Sequence, residues 1–428
     1  MTRMPRTTAL TWAVAAAVSG WLAISSAHAA PDEELLGKAK GYPPGSRATW
    51  FMDETVRVGS FSNLDRILPS RTVKKSDATL PLEKAAEEAS LNYKFQGKTF
   101  TIDDYLSHQR ATGLLVIKDG RILVERYQYE RTKDQRLLSN SMAKSIVSMG
   151  IGIALRDGSI RSLDDNAADY VPELKDNAYG QTKIRDLLRM SSGVHYSEDY
   201  SGNDDSAKFS RAQMSPLGTL GAIKLFDDRE AAPGTRFRYA SIETTVLGLV
   251  LGNATGKHVA DYVADRIWQP LGAESAATWI IAPDGHERFA GSFNATLRDW
   301  GRLGVLLAND GVRDGKEIVP REYLIEATDW HRHPAAFAPK GRGFGYGYQF
   351  WTFGGDSRQF ALLGVYGQAI YVDPKRKLVL VHTAAARNAR IGNESMGVEL
   401  RALWSGLVAA FDTAGAAAAA PDASARAP

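Results

Sequence analysis

The sequence predicts an α/β (α+β) protein with an antiparallel β-sheet, flanking helices and an inserted, mainly helical lobe. Two hairpin patterns lie near opposite ends of the chain. Apolar runs at 114–117 and 122–124 flank an Asp-Gly turn, and runs at 369–372 and 378–382 flank a polar turn that contains proline. Between them, residues of about 160–335 have mainly helical patterns. Strands at both ends therefore predict one sheet domain that carries a helical insertion.

Helices are predicted in this part of the chain from a few segments with regularly spaced apolar residues. Apolar residues recur at helical spacing in residues 184–190, 244–251 and 259–268. A closing amphipathic helix is expected over 398–411, where the periodic residues are Leu400, Leu403, Leu407 and Phe411.

Residues 1–29 have the pattern of a cleaved signal peptide. Arg3 and Arg6 precede an apolar run at 9–24, which is shorter than the about 20 residues that a membrane span needs. Ala-His-Ala then provides a cleavage site after Ala29. We expect a secreted protein, in the periplasm of a bacterium, with no membrane anchor after cleavage; an uncleaved N-terminal anchor is the alternative.

Composition divides the rest of the chain into three parts. Residues 30–80 are rich in Pro, Gly, Ser and Arg and predict an extended N-terminal arm that wraps the body. Residues 81–412 form the main domain. The alanine-rich residues 413–428 lack a periodic apolar face and predict a disordered tail.

Charge and cysteine content exclude several classes of function. The chain has no cysteine, which excludes thiol catalysis, cysteine metal sites and lipidation of a cysteine. Its formal charge of +3 falls to +1 when Arg3 and Arg6 leave with the signal peptide, so bulk charge gives no support for a nucleic-acid partner. His331 and His333 lie beside Trp330 and Pro334 and are interpreted as loop histidines, so no metal site is predicted.

The strongest chemical signal is the sequence SNSMAK at 139–144, which opens an apolar segment that ends at an Arg-Asp-Gly stop. Ser141 and Lys144 are three residues apart, and a helix brings such residues to one face. Serine needs a base within hydrogen-bond reach, and burial lowers the pKa of lysine enough for it to act as one. The alternative is a serine that caps the helix beside an exposed lysine.

Two further segments favour the catalytic interpretation. Tyr239 follows a Pro-Gly turn and precedes a helical pattern, so it can move a proton between nucleophile, lysine and leaving group; packing at a lobe boundary is the alternative. Gly364 precedes Val365 on a predicted edge strand, where substrate can approach the backbone. The backbone N–H groups of Ser141 and Val365 could then form an oxyanion hole.

With these elements in this order, the chain resembles the serine β-lactamase and penicillin-binding-protein superfamily, in its class C-type branch. It looks most like 6-aminohexanoate-dimer hydrolases and β-lactamase-like esterases over residues of about 40–412. The Ser-x-x-Lys element is complete, the Tyr-x-Asn element carries Ser241 in place of Asn, and the Lys-Thr-Gly element matches only at Gly364, with Leu362 in place of Lys or His. Other segments that fit are 184–190, 196–200, 268–272, 346–351 and 364–368.

The resemblance implies that Ser141 attacks a carbonyl to form an acyl-enzyme, with Lys144 and Tyr239 as acid/base groups. It implies an oxyanion hole at the N–H groups of Ser141 and Val365, and no metal or cofactor. The residues expected to contact substrate are Tyr200, Ser241, Gly364 and Tyr366.

The predicted substrate is a small amide or ester. The departures at Ser241 and Leu362 argue against an efficient β-lactamase, but they leave the nucleophile intact. Two alternatives stay open: a D-amino-acid peptidase or weak β-lactamase acting on cell-wall-like substrates, and a non-catalytic binding protein on the same fold.

Overall fold

The computed structural model describes residues 29–341 and 343–418. The predicted signal peptide lies outside the described residues except for Ala29, and so do residues 419–428 of the predicted tail.

The strands are numbered in chain order. They are β1 (Ser70–Val73), β2 (Asn92–Phe95), β3 (Lys98–Thr101), β4 (Ala111–Lys118), β5 (Arg121–Tyr127), β6 (Arg136–Leu138), β7 (Ala277–Ile280), β8 (Phe293–Thr296), β9 (Val312–Arg313), β10 (Lys316–Glu317), β11 (Gly345–Tyr346), β12 (Trp351–Thr352), β13 (Phe360–Gly364), β14 (Gln368–Asp373) and β15 (Leu378–Ala384).

The helices are numbered in the same way. They are α1 (Arg57–Ser60), α2 (Leu64–Ile67), α3 (Ile102–His108), α4 (Ala143–Arg156), α5 (Ile184–Leu188), α6 (Asp205–Gln213), α7 (Gly218–Ile223), α8 (Ser241–Thr255), α9 (Val259–Val263), α10 (Leu297–Ala308), α11 (Arg321–Thr328) and α12 (Ser395–Ala418). A short π-helix, Ala264–Trp268, continues α9.

The main sheet has seven antiparallel strands in the order β11-β12-β13-β14-β15-β4-β5. Both predicted hairpins are confirmed, as β4–β5 and β14–β15, and they lie next to each other because β15 pairs with β4. The predicted α+β class, an antiparallel sheet flanked by helices, is therefore confirmed. The N-terminal half of β13 pairs with β12, so β13 is an edge strand only over its last residues, 362–364.

Alternate residues of the central strands enter two different cores, as the two-residue period of a strand requires. Leu115 and Ile117 of β4 face the large core that contains α4, α8 and α10. Leu114 and Val116 face the second core, which α12 closes with Leu400, Leu403, Trp404 and Leu407. The sheet is thus covered by helices on both faces, and the functional site must lie at its end or above the first face.

The predicted helical lobe does not coincide with one separate unit. Residues 160–335 contain α5 to α11, but β7 and β8 join a four-stranded sheet, β1-β7-β8-β6, with strands from outside this range. Helix α10 also packs on β15, β14 and β4. Its apolar stripe, Leu297, Trp300, Leu303 and Leu307, is buried, so this helix belongs structurally to the main sheet.

The predicted arm, 30–80, is folded rather than uniformly extended. It forms short helical turns, including α1 and α2, and its strand β1 pairs with β7. Buried apolar side chains, Leu36, Val58, Phe61, Leu64 and Leu68, fix it to the body.

The closing helix is longer than expected. Helix α12 runs to Ala418, so residues 413–418, predicted as the start of a disordered tail, continue the helix. No helix among the described residues is both long and apolar enough to cross a membrane.

Candidate active site

Ser141 lies where the chain turns from β6 into α4. A 3₁₀ turn, Asn140–Met142, joins the two elements, and Asn140 adopts a left-handed conformation with φ of 43°. Asparagine tolerates this region better than most residues. Ser141 therefore sits just before the start of α4, where the helix N-terminus contributes positive potential.

Lys144 in the first turn of α4 is completely enclosed and contacts Ser141 directly. Its side chain is buried, at 1% exposure. Nζ lies 2.9 Å from Ser141 Oγ, 2.9 Å from Ser241 Oγ and 2.8 Å from the carbonyl oxygen of Ala290. A neutral amine can donate to Ala290 and still offer its lone pair to the Ser141 hydroxyl.

The surroundings of Lys144 favour the neutral amine. Burial lowers the pKa of Lys144 to about 8, and the negative charge of Glu198 acts in the opposite direction. Near pH 8, therefore, a large share of the molecules hold a lysine that can accept a proton from serine. The alternative of an exposed lysine beside a capping serine does not match these contacts.

Glu198 is the site residue that sequence reasoning missed. Its carboxylate is 6% exposed. Oε1 accepts hydrogen bonds from Ser241 Oγ at 2.6 Å and from Tyr200 Oη at 2.7 Å, and Oε2 accepts from the Ser241 backbone N–H at 2.7 Å. It therefore fixes Ser241, which in turn contacts Lys144. The only sequence signal was its place in segment 196–200, because 43 residues separate Glu198 from Ser241.

Tyr239 lies beside the lysine of the Ser141–Lys144 pair. Lys144 Nζ lies 5.1 Å from the centroid of the Tyr239 ring, and the Ser141 side chain lowers the pKa of the Tyr239 phenol, an effect that burial outweighs. The ring stacks on Trp351 at 5.5 Å between centroids. Burial raises the pKa of the Tyr239 phenol well above its usual value, so this hydroxyl stays protonated and can donate to the serine oxygen.

The β13 end approaches the serine turn closely. A Cβ on Gly364 would lie 2.3 Å from the carbonyl oxygen of Ser139, so any larger residue would displace the strand. Asn140 Nδ2 donates to the Val365 carbonyl at 2.9 Å and ties the two segments together. Ser141 and Val365 line the same cavity.

That cavity has a volume of about 560 Å³. Ser141, Ser241 and Val365 line it. The two serines belong to a group that we call the serine cluster, which consists of Ser141, Lys144, Glu198, Tyr239 and Ser241. We call a second set of lining residues the outer wall: Arg47, Ala48, Trp50, Phe51, Met52, Arg211 and Arg288. The predicted arm thus supplies part of the site, which the sequence did not indicate.

The predicted substrate-contacting residues occupy different places. Tyr200 and Ser241 line the cavity, and Gly364 lies behind it against Ser139. Tyr366 does not line it. Its backbone is left-handed, with φ of 61°, and its buried ring packs 5.1 Å from Phe51 and lies under the Arg57 guanidinium. Tyr366 therefore supports the arm.

Leu362, the departure from the usual Lys or His, is buried in the main core at 0% exposure. Within residues 29–341 and 343–418, no group of three or more His, Asp or Glu side chains could hold a metal ion.

Comparison with known proteins agrees with this geometry. The Beta-lactamase family model matches residues 101–390. The 6-aminohexanoate-dimer hydrolase of Paenarthrobacter ureafaciens is 25% identical over 339 residues, which cover 75% of this chain and 83% of that protein. The predicted resemblance to this superfamily is confirmed.

Solved structures share the fold. A protein described as "Putative 6-aminohexanoate-dimer hydrolase from Bacillus anthracis" has a TM-score of 0.76 and 22% identity, covering 87% of this chain and 98% of its own. EstCE1, a hydrolase with promiscuous acyltransferase activity, has a TM-score of 0.57 and 17% identity over 71% of this chain and 95% of its own. Since the family model spans well over half of the sequence, the chain belongs to the β-lactamase family and is a hydrolase of the serine β-lactamase type.

Proposed function

We propose that the protein hydrolyses small amides or esters through an acyl-enzyme on Ser141. The observation that carries the proposal is the buried contact of 2.9 Å between Lys144 Nζ and Ser141 Oγ, with the pKa of Lys144 lowered to about 8. A serine beside an amine whose pKa is lowered in this way can be activated as a nucleophile. The similarity to a 6-aminohexanoate-dimer hydrolase and to an esterase supports this substrate class.

In the first half of the reaction, Lys144 takes the Ser141 hydroxyl proton as Oγ forms a bond to the substrate carbonyl carbon. The backbone N–H groups of Ser141 and Val365 stabilise the resulting oxyanion. Tyr239, held as a protonated phenol, donates to the departing amine or alcohol and recovers a proton from Lys144. The C–N or C–O bond then breaks and leaves the acyl group on Ser141.

In the second half, water attacks the acyl carbonyl carbon and gives a proton to the neutral Lys144 amine. The bond between Ser141 Oγ and the acyl carbon then breaks, Lys144 returns the proton to Ser141 Oγ, and the carboxylic acid is released. Glu198 acts as a positioning residue, because it holds Ser241 against Lys144 without reaching the reacting atoms itself.

The test combines labelling and turnover. Wild-type protein and Ser141→Ala are treated with a fluorophosphonate probe and assayed with p-nitrophenyl esters, 6-aminohexanoate dimer and nitrocefin. We expect labelling and ester or amide turnover in the wild type, with both absent in Ser141→Ala. Ser145→Ala is the matched control, because Ser145 lies in the same helix and bonds the Gln349 carbonyl; it should still be labelled.

Each other outcome is informative. A wild type that is neither labelled nor active on any substrate excludes the hydrolase proposal and favours a binding protein. Nitrocefin turnover above ester turnover would support a β-lactamase instead. Labelling that persists in Ser141→Ala would assign the nucleophile to another serine.

A further inference from the structure

Arg288 is an arginine of the cavity whose charge the protein itself does not neutralise. It lies in the segment between β7 and β8 and lines the cavity. In the described chain its hydrogen bond goes to Ser210 Oγ, at 2.7 Å, and it forms no ion pair. Burial alone lowers the pKa of its guanidinium, with no carboxylate acting in the other direction. The group still carries its charge at neutral pH.

Two buried arginines of this protein have more partners than the partly buried Arg288. Arg302 pairs with Asp299 at 2.9 Å and with Glu274 at 2.7 Å. Arg57 donates to three carbonyl oxygens, including that of Ala386 at 2.7 Å. An arginine has five N–H donors, and burying its charge without partners is costly. Arg288 therefore has donors to spare at the surface of the cavity.

The rest of the lining does not supply the missing anion. Glu198 accepts from Ser241 and Tyr200. Asp204 caps α6, where Oδ1 accepts from the Ala207 N–H at 2.9 Å and Oδ2 from the Tyr200 N–H at 2.6 Å. Both carboxylates are thus occupied by neighbouring donors.

Two more cations face the same space. Arg47 and Arg211 line the cavity and, within the described residues, neither forms an ion pair. Arg211 donates to the Gly202 carbonyl at 3.0 Å. With Arg288, the lining presents three guanidinium groups against two carboxylates that already have partners.

Arg288 is close in sequence to a residue that contacts Lys144. Ala290, whose carbonyl accepts from Lys144 Nζ, is two residues further on, and two trans peptide units separate Cα atoms by at most about 7 Å. Arg288 and Ser141 line the same cavity, so a substrate in that cavity can meet both residues.

We propose that the cavity takes amide or ester substrates that carry a free carboxylate, and that Arg288 binds this carboxylate. The guanidinium matches a carboxylate through paired N–H···O bonds. Ser210 orients the guanidinium, and Arg47 and Arg211 attract the anion at the outer wall. This inference rests on the hydrolase proposal for the reaction, but the binding of a carboxylate can be tested without turnover.

The kinetic test uses two matched esters, mono-p-nitrophenyl glutarate and its neutral terminal amide, p-nitrophenyl glutaramate. We expect the wild type to have the higher kcat/KM for the acid. A hydrogen-bonded charge contact predicts a loss of about 10- to 100-fold on the acid in Arg288→Gln. The kcat/KM of Arg288→Gln on the neutral ester should fall less than its kcat/KM on the acid, because the neutral ester has no carboxylate to lose. Arg288→Lys keeps the charge and should retain part of the preference.

Arg401→Gln is the control, because Arg401 is an arginine of α12 that bonds the Gly392 carbonyl, away from the cavity; it should leave the preference intact. An equal kcat/KM for both esters in the wild type would overturn the inference. So would a preference that survives in Arg288→Gln.

The binding test separates this inference from the hydrolase proposal. Isothermal titration calorimetry of the wild type should show glutarate binding more tightly than glutaramide, and Arg288→Gln or Arg288→Lys should weaken glutarate alone. If glutarate binds in this way but neither ester is cleaved, the carboxylate site stands and the hydrolase proposal fails. If both esters are cleaved equally and glutarate does not bind, the reverse holds.

Discussion

The serine cluster and the outer wall of the cavity are built in different ways. The serine cluster comes mainly from the beginnings of two helices, α4 and α8, where Ser141 and Lys144 are three residues apart and Ser241 follows Tyr239 by two. The outer wall comes from three segments that are distant in sequence, with Arg47, Arg211 and Arg288 as their charged members. Local spacing thus brings together the proposed nucleophile and base, Ser141 and Lys144, whereas tertiary contacts bring together the residues of the outer wall. We therefore expect substitutions in the serine cluster to change mainly kcat and substitutions in the outer wall to change mainly KM.

The largest effect is expected for Lys144→Met. Loss of the proposed base should lower kcat by about 10³-fold or more, as for other general bases and coupled catalytic groups. The melting temperature should not fall, because a buried amine is replaced by an apolar chain of similar length. The measurements are ester turnover and thermal unfolding by circular dichroism.

Lys118→Met is the control for this prediction. Lys118 ends β4 and pairs with Asp119, outside the cavity, so its loss should leave kcat unchanged. A folded Lys144→Met protein whose kcat stays within ten-fold of the wild-type value would contradict this prediction. The serine cluster would then not be responsible for catalysis.

A smaller effect is expected at the outer wall, for Trp50→Ala. Trp50 lines the cavity, and its ring packs 5.1 Å from Phe51 and 6.4 Å from Phe61. Removing an aromatic contact of about 1.4 kcal/mol should raise KM about ten-fold on acidic and neutral esters alike and leave kcat unchanged. Steady-state kinetics with both esters measures this.

Trp330→Ala is the matched control, because Trp330 stacks on His331 away from the cavity. A Trp50→Ala variant that loses kcat with unchanged KM would show that the arm acts on the chemistry and not on substrate binding.

The same contrast explains how much the sequence could predict. Three predicted features match the structure: the hairpins, the helix after Ser141 and the loop before Tyr239. Each was predicted from turn residues or from apolar residues that recur every two positions in strands or every 3.6 in helices, and a single segment contains these signals. The pairing of Ser141 with Lys144 has the same origin. These expectations match the structure because neighbours in sequence are neighbours in space.

The unpredicted parts depend on contacts across the chain. Glu198 reaches Ser241 over 43 residues, and strand β1 of the arm pairs with β7 about 200 residues later. Helix α10 was included in the predicted helical lobe because the helical spacing of its apolar residues does not indicate which surface it packs against. Tyr366 was expected at the substrate from the family resemblance, but its backbone is left-handed and its ring packs against Phe51 and Arg57.

The smallest expected effect is a shift in the midpoint of the pH–rate profile, and it distinguishes two buried glutamates, Glu198 and Glu243. Glu198 belongs to the serine cluster, and its charge raises the pKa of Lys144 against the effect of burial. Glu243 in α8, 1% exposed, bonds Ser192 Oγ at 2.7 Å and does not line the cavity. Burial raises the pKa of Glu243 from 4.5 to about 8.

Wild-type kcat/KM should rise with pH around a midpoint near 8, as Lys144 loses its proton. In Glu198→Gln, burial acts on Lys144 unopposed, so the midpoint should move to lower pH. In Glu243→Gln the midpoint should stay. Because the folded-state pKa of Glu243 lies above 4.5, the protonated group favours the folded state at low pH, and this contribution is lost as pH rises towards about 8.

The melting temperature of Glu243→Gln should therefore fall less between pH 5 and pH 8 than that of the wild type. Glu198→Gln should instead differ from the wild type in its pH–rate profile, with the midpoint at lower pH. The pH–rate profile and the pH dependence of thermal unfolding, measured on both variants, decide this. A rate midpoint that moves in Glu243→Gln, or stays in Glu198→Gln, would mean that proximity to Lys144 does not determine which carboxylate tunes the base.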